Sequence, residues 1–222
     1  MPCSSPTRKK GPGALLTHGG WGNFYTGLGR FLVAAGLRLL KERGYRCLIL
    51  IAHSYGAAKA AFSQVLEPDP HVEALVLCNP AALMRDVWKH YLDIPYEEAV
   101  QEAKRMVAAG QGEHFVTFRH HGSMPVVSTA RTFLSTWGPD PTHDFAKSLH
   151  KLAKPLLVTV CEGDWMCMDY SRFVYEHSPK ALPREVVVLP GGDHYYKGAE
   201  GALEGAILAW FQRLGLLSND RG

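Results

Sequence analysis

The chain alternates short, mostly apolar runs with longer stretches of helical period. Five runs read as strands: Ala14–Thr17, Cys47–Ala52, Val72–Cys78, Pro155–Val160 and Glu185–Leu189. An apolar run without polar alternation is the signature of a strand covered on both faces. Between the first two, Tyr25 to Arg43 sets Leu28, Phe31, Leu32, Ala35 and Leu39 on one stripe at 3.6 spacing and stops at Gly44. A helix of small residues begins at Tyr55 and is closed by Pro68-Asp69-Pro70. Tyr170–His177 and Ala199–Leu214 follow the fourth and fifth runs, the latter with Leu203, Ile207, Trp210 and Leu214 on one face. Strands alternating with helices predict an α/β fold, with a mostly parallel sheet of about five strands and helices on both faces.

The pattern changes over residues 81–154. Pro95-Tyr96 to Ala109 is amphipathic, with Ala99, Ala103, Met106 and Val107 inward and Gly110 as its stop. Glu113 to Ser128 is rich in histidine and aromatic residues and shows no clear period. Asp140 to Leu152 predicts a helix carrying Phe145, Leu149 and Leu152 on one side. This stretch reads as a helical insertion between two sheet strands. Residues 1–12 read as a disordered tail, and 13–222 as a single domain.

Composition narrows the classes. With 222 residues, 46% hydrophobic and 20% charged, the chain can bury the core of one ordinary globular domain. A net charge of +3 and one short basic cluster, Arg8-Lys9-Lys10, make too small a footprint for nucleic acid. No stretch approaches the ~20 apolar residues of a membrane span, and the N-terminus lacks the apolar core of a signal peptide. Of the five cysteines, Cys47, Cys78 and Cys161 fall in or directly at the end of predicted buried strands, which points to a reduced, cytoplasmic setting. No metal is expected, since His120-His121 lacks a third ligand at useful spacing, and no cofactor motif occurs. The aromatic and histidine content of residues 113–121 suits a pocket lining and a core equally well.

The chemistry gathers at Ala52-His53-Ser54-Tyr55-Gly56, where an apolar strand turns abruptly into a helix. A serine at so sharp a bend takes a strained backbone conformation, and only small residues two positions to either side avoid a clash. This is a nucleophile elbow, and it resembles the α/β-hydrolase superfamily, with alanine for the commoner first glycine. A serine hydroxyl is a weak nucleophile and needs a base, itself oriented by a carboxylate. In that superfamily they come in the order Ser, Asp or Glu, His. Here Ser54 follows the second run, Asp164 the fourth and His194 the fifth, each at a strand-to-loop junction. Asp193 and Asp169 are weaker choices for the acid. His53 adjoins Ser54, but neighbouring side chains at an elbow point apart, so it should pack rather than catalyse.

The resemblance covers residues 14 to 216 and points to the esterase, lipase and peptidase-like branch. It implies Ser54 as nucleophile, His194 as general base and then acid, Asp164 as orienting carboxylate, and the Tyr55 backbone N–H as one oxyanion donor. The insertion lies where such proteins carry a cap over the site. The front is short for the family, with one helix between His18-Gly19-Gly20 and the elbow. Two alignments follow. In one, Ala14–Thr17 sits beside the elbow strand, and Gly19 and Gly20 belong to the oxyanion loop. In the other, which the spacing favours, Ala14–Gly22 is the superfamily's fourth strand and its loop, and the chain is shortened at the N-terminus. The expected function is a metal-free serine hydrolase acting on an ester, less readily an amide, of a small to medium organic molecule. The alternative is a weakly active or non-catalytic ligand-binding protein of the same fold. An open sheet edge would invite a partner chain.

Overall fold

The computed structural model describes residues 11–18, 28–81, 95–118, 126–139 and 148–217. The chain divides into two compact units, a larger one of Met1–Gly20, Gly27–Ala81 and Phe145–Gly222, and a smaller one of Trp21–Thr26 and Ala82–Asp144.

The larger unit is built on a five-stranded sheet. Its strands are β1 (Gly13–His18), β2 (Leu48–His53), β3 (Val72–Cys78), β6 (Leu156–Cys161) and β7 (Arg184–Leu189), in spatial order β1-β2-β3-β6-β7. Every pair is parallel, so all five strands end at one rim. The central strands are mostly apolar because both faces are covered: Leu48, Leu50, Leu75, Leu77, Leu156 and Leu157 are almost wholly shielded from solvent. Burying each such leucine is worth about 1.5–3 kcal/mol. Alternate residues feed opposite faces. Ile49, Val76, Leu157 and Leu189 form one cluster with Trp210 and Phe211 of the C-terminal helix α6 (Glu200–Arg213). Strands β1 to β3 also carry α1 (Leu28–Glu42) and α2 (Tyr55–Leu66), and β6 and β7 carry α5 (Trp165–His177). Ala57, Ala58, Ala60 and Ala61 of α2 are buried, and side chains that short let a helix lie close to its neighbours.

The strand and helix assignments of the sequence hold here with shifts of a residue or a few at the ends, except that α5 starts five residues earlier, directly after Asp164. Of the helix expected over 140–152, residues 140–147 lie outside the described set. The described part is a 3-10 turn, Leu149–Lys151, with Leu149 and Leu152 buried.

The smaller unit has α3 (Tyr96–Ala108), an antiparallel hairpin of β4 (Phe115–Phe118) and β5 (Val126–Thr129), and α4 (Ala130–Trp137). The stretch without period contains this hairpin. Helix α4 follows it directly, with Thr129 capping its first turn by accepting the Thr132 amide proton at 3.2 Å. Residues 119–125, with His120 and His121, lie outside the described set. Among the described residues no helix is long and apolar enough to cross a membrane.

Candidate active site

Everything in this site belongs to the larger unit. Ser54 is the single residue between β2 and α2, with φ 57° and ψ −131°. A non-glycine residue at such angles costs on the order of 1–3 kcal/mol, which the surroundings must supply. Here the strand behind is locked into the sheet, the Ser54 amide donates to the Cys78 carbonyl at 3.0 Å, and the Ser54 carbonyl accepts from Ala57 at 3.0 Å. Ala52 and Gly56, the small residues flanking the bend, are buried.

Asp164 lies beyond the end of β6 and caps α5, accepting the Cys167 amide proton at 3.3 Å. Its side chain is 1% exposed. Burial opposes its charge, but hydrogen bonds from His194 and Cys167 outweigh that and hold the carboxyl below its ordinary value. His194, in the loop after β7, meets Asp164 Oδ2 with Nδ1 at 2.6 Å and Ser54 Oγ with Nε2 at 3.0 Å. A carboxylate beside Nδ1 keeps the proton there, which leaves the Nε2 lone pair to accept from the serine hydroxyl. Three residues far apart in sequence thus form one hydrogen-bonded chain at the rim.

The other residues singled out in the sequence are distributed as follows. Tyr55 opens α2, so its amide belongs to the first turn at the positive end of the helix. Gly19 and Gly20 lie outside the described residues. Strand β1, which leads to them, pairs directly with the elbow strand, His18 opposite His53, the position the first alignment gives it. Asp169 and Asp193 are exposed. Asp193 is a turn residue, its Oδ1 accepting the amides of Tyr195 at 2.8 Å and Lys197 at 3.1 Å. His53 does pack, with its ring 4.8 Å from that of His194, and it also donates from Nε2 to the His194 carbonyl at 2.6 Å.

Several supporting residues carried little or no signal in the sequence. Gly163 and Gly192 let the loops that carry Asp164 and His194 touch: a Cβ on Gly163 would lie 2.2 Å from the Gly192 carbonyl oxygen. Gly192 itself sits at φ 71°, and a Cβ there would be 2.8 Å from Cys161 Sγ. Tyr196 pins the His194 loop to β6 through a hydroxyl 2.8 Å from Thr159 Oγ1. Asn79, just after β3, is fully buried and bonds to the loop of His194 and to Cys161, the last residue of β6. Its position is the one hint available, a polar residue closing an apolar strand just as Ser54 does.

Among the described residues one group could present metal ligands: Asp164, Cys167 and His194, with donor atoms within 4.8 Å of one another. Burial, and then the Asp164 carboxylate, push the Cys167 thiol far above its ordinary range, which disfavours the thiolate a metal needs. His194 Nδ1 is engaged by Asp164. The group therefore fits a hydrogen-bonded acid–base pair with a neutral thiol beside it.

No protein-family model and no curated protein matches the sequence. Solved structures do match. Est1E from Butyrivibrio proteoclasticus aligns at TM-score 0.64 and 14% identity over 93% of this chain and 89% of that one. The esterase domain of a Rhodothermus marinus protein aligns at 0.58 and 16% over 90% and 86%. MGS-MChE2, an alpha/beta hydrolase enzyme from a lagoon-sediment metagenome of Mar Chica, Morocco, aligns at 0.56 and 16% over 93% of both chains. With a parallel sheet flanked by helices and a strained turn from β2 into α2, matched along nearly their whole length by these hydrolases, the chain has the α/β-hydrolase fold.

Proposed function

We propose that this protein is a serine hydrolase that cleaves an ester, and less readily an amide, of a small to medium organic molecule through an acyl-enzyme on Ser54. The observation that carries the reading is the unbroken contact series Ser54 Oγ to His194 Nε2 at 3.0 Å and His194 Nδ1 to Asp164 Oδ2 at 2.6 Å. His194 removes the hydroxyl proton as Ser54 Oγ attacks the ester carbonyl. The buried Asp164 carboxylate stabilises the imidazolium that results. The Tyr55 backbone N–H stabilises the oxyanion, helped by the N-terminal end of α2. His194 Nε2–H then protonates the departing alcohol, and water repeats the sequence in reverse to release the acid. A positioned base contributes on the order of 10²–10⁴-fold and each oxyanion donor about 10²–10³-fold. The names of the structural neighbours, an esterase domain and an alpha/beta hydrolase enzyme, support the reaction class without fixing the substrate.

The test is pre-steady-state hydrolysis of short-chain p-nitrophenyl esters. The proposal predicts a burst of one p-nitrophenol per active site, lost in Ser54→Ala. Turnover retained by Ser54→Ala, or saturable binding without turnover by wild type, contradicts it; the second result would favour a ligand-binding protein of this fold.

A further inference from the structure

The rim holds one fully buried polar side chain that the proposed mechanism does not use. Asn79 follows β3, a strand that supplies no member of the Ser54–His194–Asp164 series. It nevertheless bonds to the loop that carries His194 and to the strand that leads to Asp164, and the residue before it bonds to Ser54. Its amide nitrogen Nδ2 donates to the His194 carbonyl at 3.0 Å and the Asp193 carbonyl at 3.3 Å. Its Oδ1 accepts the Cys161 amide proton at 2.9 Å, at the end of the strand leading to Asp164. Its own backbone amide donates to Thr159 at 2.8 Å, and the preceding carbonyl, of Cys78, accepts the Ser54 amide. His53, beside the nucleophile, donates into the same His194 carbonyl at 2.6 Å.

We infer that Asn79, assisted by His53, is the positioning residue of the base: it fixes the His194 backbone so that the imidazole spans Asp164 and Ser54. The inference rests on reading those three residues as a catalytic triad. The chemistry selects asparagine. One short side chain must donate two protons to carbonyls of one loop and accept one from an amide at the end of β6, which a carboxylate, a hydroxyl or an alkyl group cannot do. The site is wholly buried, so an unmet partner there would be costly, and the amide has every reason to stay engaged. Asn79 also holds φ 39°, a conformation asparagine tolerates better than most residues. The His194 carbonyl, held by two donors, leaves the ring only its side-chain torsions, and the packed Tyr196 closes the loop from the other side.

Three variants separate positioning from mere folding. Asn79→Asp keeps the shape and the acceptor for Cys161 but loses both donors. Asn79→Gly removes the side chain and leaves a residue at home at positive φ. His53→Phe removes the second donor at a partly exposed site. Each is read by cooperative thermal melting, by kcat and KM on p-nitrophenyl esters, and by proton NMR of the downfield His194 Nδ1–H that faces Asp164. The expected result is a fall in kcat on the order of 10²-fold with KM little changed for the Asn79 variants, a smaller fall for His53→Phe, and a shifted or broadened downfield proton. Folded variants with wild-type kcat and an unmoved downfield proton overturn the inference. If wild type itself turns over no ester, the functional reading fails, and the NMR comparison alone still decides whether Asn79 and His53 set the ring.

Discussion

At the residue scale the site depends on close approach as much as on polar chemistry. Gly163 and Gly192 carry no reacting group, yet the acid and base loops meet through them, because any Cβ on Gly163 would run into backbone. Gly163→Ala must therefore part the loops that hold Asp164 and His194. We expect it to cost about 1–3 kcal/mol, the range for overpacking a tight site, and to slow ester turnover. Urea denaturation midpoints and kcat measured together would show both effects; a variant unchanged in either would mean that the loops have slack. The three residues of the Ser54–His194–Asp164 series were legible in the sequence because each ends an apolar run in a fixed order. Asn79 and the two glycines were not. Their importance lies in contacts across 82 and 115 positions for Asn79 and in a loop-to-loop approach for Gly163, and neither leaves a periodic trace.

Elements differ in how far their sequence announces them. Strands β2, β3 and β6 are buried on both faces and read as predominantly apolar runs, broken only by Glu73 and Thr159 before their ends. The hairpin β4–β5 has four residues per strand, with Phe115 and Val127 exposed, so it offers neither the length nor the clean alternation that marks a strand. Helix α4 is eight residues long and is started by a threonine cap rather than by a recognisable stripe. The elbow strand is the element on which the site's geometry rests. Leu50, with no exposed surface, sits mid-strand beside Leu75 of β3. Leu50→Ala should lose about 2–5 kcal/mol by calorimetry or chemical denaturation, with larger losses if the sheet does not close around the cavity. A loss well under that range would mean the centre of the sheet is loosely packed.

For the whole molecule, stability should track the charge state of the site. The Asp164 carboxyl is held below its ordinary value in the folded chain, so the folded state favours the ionised form. That contribution is complete above the unfolded aspartate value of about 4 and is lost as pH falls through the lower folded value. Melting temperature is thus predicted to drop on acidification below about pH 4, and Asp164→Asn to be less stable at neutral pH with a flatter acid limb. An acid limb identical in the variant would contradict the assignment of that carboxylate. The parallel sheet was legible in the sequence from strand–helix alternation, while the pairing of β1 with the elbow strand had to be seen in three dimensions, because both readings of the short front predicted the same residues as a strand.

The account stands or falls on whether Ser54 is an activated nucleophile. The direct measurement is labelling of wild type and of Ser54→Ala with a fluorophosphonate, a reagent that captures serines paired with a base, followed by peptide mapping of the adduct. A single adduct on Ser54, absent from the variant and slowed on the order of 10²-fold or more in Asp164→Ala and His194→Ala, is the predicted result. A folded wild type that takes up no label, or takes it up elsewhere, would contradict the catalytic reading of the triad.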